Sequence, residues 1–454
     1  MIEQFINQLS TTMESVQSKL QRDLTLRTRV GRRFNITDLA TLFGKEKSYL
    51  TKQIMKFSEE DPAFPEGVRE GRERTFDLDE IMLMRAILNS NSRKKDFLHW
   101  RKTGDPLKIV TFGAQKGGTG KSLSAAHFAQ YISLQYGLRV GVVDMDPQAT
   151  ATLYFADSSI DLFAADTQTV AHFSGVDNPP LARELAAKGE IPPLPSPEQQ
   201  NDMWRRTPWP GTRLIPGNSD IQNGDISLYF MAPVKNQAVY SSLKDAISTW
   251  EAAYPPKTLP EDLLGPDGKF YTRVYNEALT ETLDVIVIDQ QPSLTLMQLN
   301  GLMAATNVVI PQTMKGFDLS TLTSYARSIS EYVEHLSEIV DEAQMAEYCP
   351  GPHVVLPTIV QEQNERDLDQ LVDLRSRAPD LFLPVWYSRS DAISNAAEEY
   401  KSVYEYDPPR TRRASAKAFL KNANAVNDAL VKLVWQGELP SRGYADEFIK
   451  ERWS

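Results

Sequence analysis

A glycine-rich turn between an apolar strand and a helix constrains this 454-residue chain more than any other feature. The stretch LKIVTFGAQKGGTGKSL (107–123) opens with the β-branched, apolar run of a buried parallel strand. Its turn contains Gly117, Gly118 and Gly120. Because these residues have no Cβ atom, backbone N–H groups can approach phosphate oxygens, and the following helix N-terminus adds positive charge. The sequence therefore predicts a phosphate-binding loop, in which Lys121 reaches the β- and γ-phosphates and Ser122 binds Mg²⁺.

The loop departs from the usual GxxxxGK[ST] pattern, because Gln115 replaces the first glycine and Lys116 is an additional lysine. The order KGGTGKS resembles the deviant Walker A motif of the ParA/MinD family of P-loop ATPases. This resemblance implies that Lys116 crosses to the nucleotide of a partner subunit in an ATP-sandwich dimer. It also implies nucleotide contacts along the whole loop, from Gly117, Gly118, Thr119, Gly120, Lys121, Ser122 and Leu123.

Two further apolar strands end in carboxylates. RVGVVDMDPQ (139–148) contains Asp144 and Asp146, and LDVIVIDQQPSL (283–294) runs into Asp289. The carboxyl ends of parallel strands are where open α/β sheets bind ligands. The first stretch resembles the family's DxDPQ motif, which implies that Asp146 positions the attacking water. The second resembles Walker B, which implies that Asp289 holds Mg²⁺ through a water molecule, although DQQP replaces the common D-x-P-P.

The order of these motifs predicts an α/β fold for residues 105–454, a P-loop NTPase with a mostly parallel sheet flanked by helices. Further strands are expected at 304–313, at 353–360 and within FLPVWYS (382–388). Residues 157–280 contain two proline clusters and are expected to form helices and long loops around a strand at TRLIPGNSDI. Family members contact adenine from the loop after the strand at 353–360, which makes Gln363 and Asn364 candidates for that contact.

Residues 29–104 predict a winged helix-turn-helix domain. Asn35 or Thr37 can cap a short helix that ends at Phe43, Gly44 supplies a turn, and a second helix runs from about Glu46 to Phe57. A charged hairpin and another capped helix follow, and NSNSRKKDFLHWRKTGDP (89–106) is predicted to be a basic linker. The second helix would present Lys45, Lys47, Ser48, Tyr49 and Lys52 to a major groove. The hairpin would bind phosphates through Arg69, Arg72 and Arg74. A helical hairpin with a solvated lysine face is the alternative.

The first 28 residues predict a helix with an apolar stripe at three- and four-residue spacing. The stripe consists of Phe5, Ile6, Leu9, Met13, Val16 and Leu20. Two interpretations stay open, namely packing on the stripe's own domain and dimerisation with a second copy.

Charge is distributed unevenly along the chain. Residues 22–102 carry 18 Lys and Arg against 13 Asp and Glu, a balance of +5, whereas the whole chain carries −11. DNA contact is therefore expected to be local. By resemblance, non-specific DNA contacts would come from basic residues near the C-terminus, and the alternative is a solvated face. These are Arg389, Arg410, Arg412, Arg413, Lys417 and Lys421.

A single cysteine, Cys349, and the lack of an apolar run of 18 residues predict a cytoplasmic protein without a membrane partner. The resemblance implies a member of the larger ParA subclass, an Mg²⁺- and ATP-dependent ATPase that partitions a plasmid or secondary chromosome. It would dimerise on ATP, bind nucleoid DNA, respond to a ParB-like protein and repress its own operon. Slow intrinsic turnover is expected, since no strong separate base is identifiable. A nucleotide-sensing repressor and a cargo-positioning ATPase are the alternative functions.

Overall fold

The computed structural model describes residues 2–9, 11–13, 16, 31–71, 73–156, 167–390, 401–408 and 410–453. Residues 2–9 and 11–13 are helical, as predicted for the start of the chain. The apolar side chains here are each at least 44% exposed: Ile2, Phe5, Ile6, Leu9, Met13 and Val16. Leu20, the last predicted member of the stripe, lies outside the described residues. The described part of the chain therefore leaves this stripe uncovered.

The predicted pair of helices and the charged hairpin lie between residues 34 and 91. The elements are β1 (Phe34–Asn35), α1 (Ile36–Phe43), α2 (Lys47–Glu60), β2 (Val68–Glu70), β3 (Glu73–Phe76) and α3 (Leu78–Asn91). Asn35 caps α1, since its side chain accepts hydrogen bonds from the backbone N–H groups of Thr37 and Asp38. Gly44 ends α1 with a φ of 60°, a left-handed conformation that glycine adopts at little cost. Asp77 caps α3 in the same way as Asn35 caps α1.

Within the described residues, β1, β3 and β2 form a small antiparallel sheet in that order. Arg69 and Arg74 lie directly opposite each other in the β2–β3 hairpin. Their side chains therefore leave the same face of the hairpin.

The described residues also contain a seven-stranded sheet with the order β10-β9-β4-β8-β5-β7-β6. Its strands are β4 (Lys108–Phe112), β5 (Val140–Met145), β6 (Arg205–Arg206), β7 (Thr212–Ile215), β8 (Val285–Gln290), β9 (Asn307–Thr313) and β10 (Val354–Thr358). All neighbours pair in parallel except β6 and β7. Strand β4 is third in this order, next to the central strand β8, so the glycine loop that follows it opens at the carboxyl edge beside the end of β8.

Helices cover this sheet. They are α4 (Lys121–Tyr136), α5 (Thr150–Phe155), α6 (Val170–Phe173), α7 (Pro179–Ala186), α8 (Pro197–Met203), α9 (Ile221–Met231), α10 (Ala238–Ala253), α11 (Thr272–Glu281), α12 (Leu296–Met303), α13 (Gly316–Ile339), α14 (Glu342–Met345), α15 (Glu365–Arg377), α16 (Arg413–Trp435) and α17 (Tyr444–Arg452). The predicted mostly parallel α/β fold is confirmed. No helix in the described ranges is both long and apolar enough to cross a membrane.

Two sequence predictions about connecting segments were wrong. The basic stretch 89–106 is not a solvated linker, since Phe97, Leu98 and Trp100 are at most 4% exposed and belong to the core. The stretch 382–388 does not form a full strand in the described structure. It runs beside β10, where Val355 bridges Phe382 and Val360 bridges Ser388, and backbone hydrogen bonds join the two segments.

A buried arginine joins the N-terminal elements to the helix that starts at the glycine loop. Arg85 of α3 is fully buried, and its guanidinium donates hydrogen bonds to the carbonyls of Leu134 (2.5 Å), Gln135 (3.2 Å) and Phe97 (2.7 Å). Arg442 donates to the Gln135 carbonyl as well, at 2.5 Å. Cations at the end of a helix offset the negative end of its dipole. Burial lowers the pKa of Arg85 well below its usual range, and Arg442 adds to this effect.

We expect Arg85→Met to lower the free energy of unfolding by about 3 kcal/mol, because three buried carbonyls lose a charged donor. Chemical denaturation measures the change. Arg93→Met is the matched control, because Arg93 is exposed, and it should change stability by less than about 0.5 kcal/mol. Equal stabilities of the two variants would contradict the proposed role of Arg85.

Candidate nucleotide and magnesium site

The glycine loop links β4 to α4 at the carboxyl edge of the sheet, beside the central strand β8. Gly118 and Gly120 have φ values of 74° and 82°, which place both in the left-handed region. Lys121, the first residue of α4, is 6% exposed, and its ammonium donates to the Lys116 carbonyl at 3.1 Å. Burial lowers the pKa of Lys121, while Asp289 and Asp146 raise it. Thr358, which the sequence did not indicate, donates its hydroxyl to the Thr119 carbonyl at 2.7 Å and ties β10 to the loop.

The two carboxylates at the end of β5 have different surroundings. Asp144 is fully buried and accepts hydrogen bonds from the Asp146 backbone N–H at 3.0 Å and from the Thr152 hydroxyl and N–H, both at 2.7 Å. Burial raises its pKa to about 6. Asp146 is 7% exposed and accepts a hydrogen bond from the Gln148 N–H at 2.8 Å. Asp144 therefore holds the loop in shape, while Asp146, which is nearly as buried, accepts fewer hydrogen bonds.

Asp289 lies beside the glycine loop and Asp144. In the sheet register it pairs with Phe112 on one side and with Asp144 on the other. Its carboxylate is fully buried, and in the described part of the chain neither oxygen has a partner at full hydrogen-bond geometry, although the Ser122 hydroxyl lies near enough to act on the carboxyl. Burial and then Asp144 raise its pKa well above the usual range, whereas the Ser122 hydroxyl and the Lys121 ammonium lower it.

A buried carboxylate without a partner suits a cation, and the Ser122 hydroxyl lies close to it. The described residues contain no cluster of three or more His, Cys, Asp and Glu that could hold a metal. This fits Mg²⁺, which is commonly held by one or two protein oxygens together with phosphate oxygens and water. Ser122 and Asp289 would hold the ion, and its charge would offset the charge of the phosphates.

The additional lysine binds an acid of its own chain. Lys116 forms an ion pair with Asp318 at the start of α13, and Asp318 also accepts a hydrogen bond from the Thr313 hydroxyl. The Asp318 side chain is 5% exposed and that of Lys116 is 43% exposed. Burial acts to raise the pKa of Asp318, but the hydrogen bonds from Lys116 and Thr313 hold it below the ordinary value. The sequence does not predict this ion pair, because Asp318 lies 202 residues from Lys116 and belongs to no motif.

The two candidate adenine contacts differ in their structural roles. Asn364 caps α15, since its side chain accepts a hydrogen bond from the Arg366 N–H at 3.2 Å. Gln363 instead lines a cavity of about 700 Å³ together with Arg389, Phe419 and Asn422. The cap already uses the side-chain oxygen of Asn364, and the adenine contacts of both residues stay predictions.

The candidate DNA contacts of the N-terminal elements divide into two sets. Lys45 forms an ion pair with Asp96 and lies 4.9 Å from the centre of the Phe97 ring, so its ammonium is already partnered. The other residues of α2 named above, Lys47, Ser48, Tyr49 and Lys52, are exposed. Arg69 is exposed and Arg74 is half-buried, while Arg72 lies outside the described residues.

The basic residues near the C-terminus also divide. Arg389, Arg412, Arg413 and Lys417 are exposed. Lys421 is engaged by α17, since its ammonium lies 3.0 Å from the Glu447 carboxylate and 2.9 Å from that of Glu451. The side chain of Arg410 lies outside the described structure.

A parallel sheet with a glycine loop, a lysine and a carboxylate at its carboxyl edge defines a P-loop nucleotide hydrolase. The profile of the CobQ/CobB/MinD/ParA nucleotide binding domain matches residues 110–403. This chain therefore belongs to that family, and it is an ATPase of the ParA/MinD type with ATP and Mg²⁺ as its cofactors.

Similar proteins extend beyond this domain. A Rhizobium rhizogenes protein named as a replication protein A is 24% identical over 411 residues, which cover 89% of this chain and 88% of that protein. The chromosome partitioning protein ParA of Caulobacter vibrioides is 24% identical over 324 residues, 71% of this chain and 95% of that protein. A solved structure of a partition protein has a TM-score of 0.53 at 17% identity and covers 87% of this chain and 96% of that chain.

We expect the apparent affinity for Mg²⁺ in the nucleotide complex to rise with pH, because a proton and the cation compete for Asp289. The raised pKa of this carboxyl keeps it protonated to a higher pH than a free aspartic acid. The affinity should therefore rise by up to about tenfold per pH unit while Asp289 titrates, and then level off. A Mg²⁺ titration of nucleotide binding at fixed ATP, from about pH 5 to about pH 8, measures this change.

Asp289→Asn is the control for the competition. It should weaken Mg²⁺ binding and leave only the shallower slope that titration of the terminal phosphate of ATP itself produces. A wild-type affinity that does not change over this pH range would exclude Asp289 as the titrating ligand.

Proposed function

We propose that this protein is a partitioning ATPase of a plasmid or secondary chromosome that works as an ATP-sandwich dimer. The observation that carries the proposal is the pairing of a complete phosphate site with an additional lysine, Lys116, whose side chain is 43% exposed beside it. The chain is also similar, over most of its length, to proteins named for replication and for chromosome partitioning. In the proposed mechanism Lys121 and the loop bind the phosphates, Asp146 aligns the attacking water, and the partner subunit's Lys116 offsets charge on the γ-phosphate.

An exposed aromatic side chain beside Lys116 supports a protein contact at this edge. Phe317 immediately precedes Asp318, the acid that binds Lys116, and its side chain is 88% exposed. If Lys116 is to reach the nucleotide of a second copy, that copy must approach within the length of one lysine side chain. Phe317 would then be covered by the partner.

The uncovered stripe of the N-terminal helix supports a second, nucleotide-independent contact between two copies. Its apolar residues follow the spacing of a helix that packs along one face. We propose that two such helices pack against each other.

Two variants separate these contacts. Phe317→Ser should weaken ATP-dependent dimerisation by roughly 30-fold, because an aromatic anchor at the centre of an interface is lost. Leu9→Ser should weaken association without nucleotide and leave the ATP-induced step intact. Leu381→Ser, at an exposed position in the stretch beside β10, is the control and should affect neither. Sedimentation with and without ATP measures the ATP-dependent and the nucleotide-independent association. If Phe317→Ser dimerised on ATP like wild type, the proposed contact at Phe317 would be refuted.

The N-terminal elements are proposed to bind the protein's own operator. The exposed face of α2 would enter the major groove through Lys47, Ser48, Tyr49 and Lys52. Like charges directly opposite in a hairpin repel, so the Arg69–Arg74 pair is well suited to a DNA phosphate that relieves the repulsion. The DNA contacts proposed for Arg72 and Arg410 rest on the sequence alone.

Non-specific nucleoid DNA is proposed to bind the exposed basic residues Arg389, Arg412, Arg413 and Lys417. A ParB-like protein is the proposed activator of hydrolysis, and the cytoplasmic nucleoid is the proposed location. Both rest on the similarity to partitioning proteins.

DNA binding tests the proposed function against a plain repressor. Wild-type protein is titrated at one stated salt concentration onto random duplex and onto the region upstream of its gene, with ATP, ADP or no nucleotide. ATP-dependent binding to random duplex together with ADP-favoured binding to the upstream region is the expected result. Upstream binding alone, with no ATP-dependent binding to random duplex, would favour the nucleotide-sensing repressor and contradict the partitioning ATPase.

Arg412→Gln with Arg413→Gln should weaken only binding to random duplex. Lys47→Gln with Lys52→Gln should weaken only binding to the upstream region. If each double variant lost binding to random duplex and to the upstream region alike, the proposal of two separate DNA-binding surfaces would be contradicted.

A further inference from the structure

Two buried glutamines connect the strand ends that carry Asp289 and Asp146. Gln290 is the last residue of β8, is 1% exposed and donates its side-chain amide to the Gln298 carbonyl at 2.7 Å. Gln298 of α12 is fully buried and donates its own side-chain amide to the Met145 carbonyl at 3.1 Å. Met145 lies between Asp144 and Asp146. Because Gln290 bonds the backbone carbonyl of Gln298, the two side chains connect the residue after Asp289 to the residue before Asp146 through the backbone of Gln298, and this connection is called the chain of amides.

The surroundings of Gln290 are shaped to this side chain. A Cβ atom on Gly113 would lie 2.5 Å from Gln290 Oε1, and one on Gly301 would lie 2.7 Å from Gln290 Nε2. The Gly301 position also lies against Met145, whose Sδ would be 2.7 Å from the same Cβ atom. Because glycines on two different elements leave the space that the amide fills, Gln290 occupies a fitted slot.

This slot lies next to the catalytic edge. Met145 and Gln290 are direct partners in the register of β5 and β8, one residue beyond the Asp144–Asp289 pair. A buried amide is costly unless it is hydrogen-bonded, and its bonds have a defined direction. The chain of amides therefore fixes the distance between two strand ends more tightly than apolar packing would.

We propose that Gln290 and Gln298 are positioning residues for ATP hydrolysis, which set the spacing between Asp289, at the metal site, and Asp146, the aligner of water. The inference rests on the role proposed above for Asp146. It assigns a purpose to the DQQP sequence, in which the first glutamine reaches back into the sheet. Neither side chain is expected to touch the nucleotide, so binding of ATP should depend on them little.

Single-turnover hydrolysis of ATP with Mg²⁺ tests the proposal. Gln290→Met keeps the length of the side chain and removes its donor. We expect the rate constant to fall by roughly tenfold or more, because a misplaced reacting group is costly in rate, while the ATP concentration for half-saturation changes by less than about twofold. Gln298→Met should behave alike. Both hydrogen bonds belong to one connection, so losing the second should add little to the loss of the first. The double variant should therefore be at most about twofold slower than the slower of the two single variants.

Gln200→Met is the matched control. Gln200 of α8 is also fully buried and donates to two carbonyls, those of Phe173 and Ala246, both at 3.2 Å, but it belongs to neither strand end. It should lower the midpoint of thermal unfolding as much as Gln290→Met does and leave the rate constant unchanged.

Two outcomes would overturn the proposal. One is a wild-type rate constant of hydrolysis in Gln290→Met together with a lowered midpoint of thermal unfolding. That result would show that Gln290 stabilises the fold without positioning the reacting groups. The other is independent, multiplicative losses in the double variant. If Gln290→Met does not fold, Gln298→Met decides alone, and a normal rate in that variant overturns the proposal. Wild-type protein that binds ATP without hydrolysing it would count against the proposed mechanism rather than against the amide chain.

Discussion

The buried carboxylate of Asp289 is the constraint on which the other features of the site depend. A charge at a fully buried position is stable only with compensation, and the protein supplies Lys121 and the Ser122 hydroxyl but no hydrogen bond to either oxygen in the described residues. Without a cation, the raised pKa favours a proton on this carboxyl, and Mg²⁺ bound with phosphates would replace that proton. The electrostatics of the sheet edge therefore suit the Mg²⁺ and ATP that the family indicates.

The helix that begins at the glycine loop extends this dependence across the molecule. Its first turn holds Lys121 and Ser122 against the phosphate site, and its last carbonyls bind Arg85 and Arg442. Arg85 comes from the elements proposed to bind the operator, and its guanidinium is fully buried. Because a helix is stiff along its axis, a displacement at its N-terminus reaches the carbonyls that Arg85 holds. The N-terminal elements therefore share a core and a rigid connection with the nucleotide site.

Sequence reasoning was successful where the signal is local. The glycine loop, the cap at Asn35 and the strands that end in Asp144 and Asp289 each depend on residues close together in the chain, and the structure contains them all. The segment 89–106 was misjudged because its many charges suggested solvent. Phe97, Leu98 and Trp100 lie in irregular backbone, where burial leaves no periodic pattern to read.

The residues that sequence reasoning missed are those whose partners lie far away in the chain. Thr358 binds the glycine loop from 239 residues away, and Gln298 reaches Met145 across 153 residues. Neither has a motif, since a threonine at the end of a strand and a glutamine in a helix are ordinary. Their importance follows from the order of strands in the sheet, which a single sequence does not specify.

Lys116 shows how one residue can serve both a resting and an assembled state. Its ion pair with Asp318 is partly exposed, and a pair of this kind contributes only about 1 kcal/mol or less. The pair therefore holds the lysine near its own loop without making its release costly. Asp318 keeps the hydrogen bond from Thr313 when the lysine leaves, so the buried carboxylate is not left without a partner. In the proposed dimer, a γ-phosphate on the second copy would offer Lys116 a more highly charged site than Asp318 does. The exchange of partners would then be favoured only when both the second subunit and the nucleotide are present, which is the condition that the proposed dimerising ATPase requires.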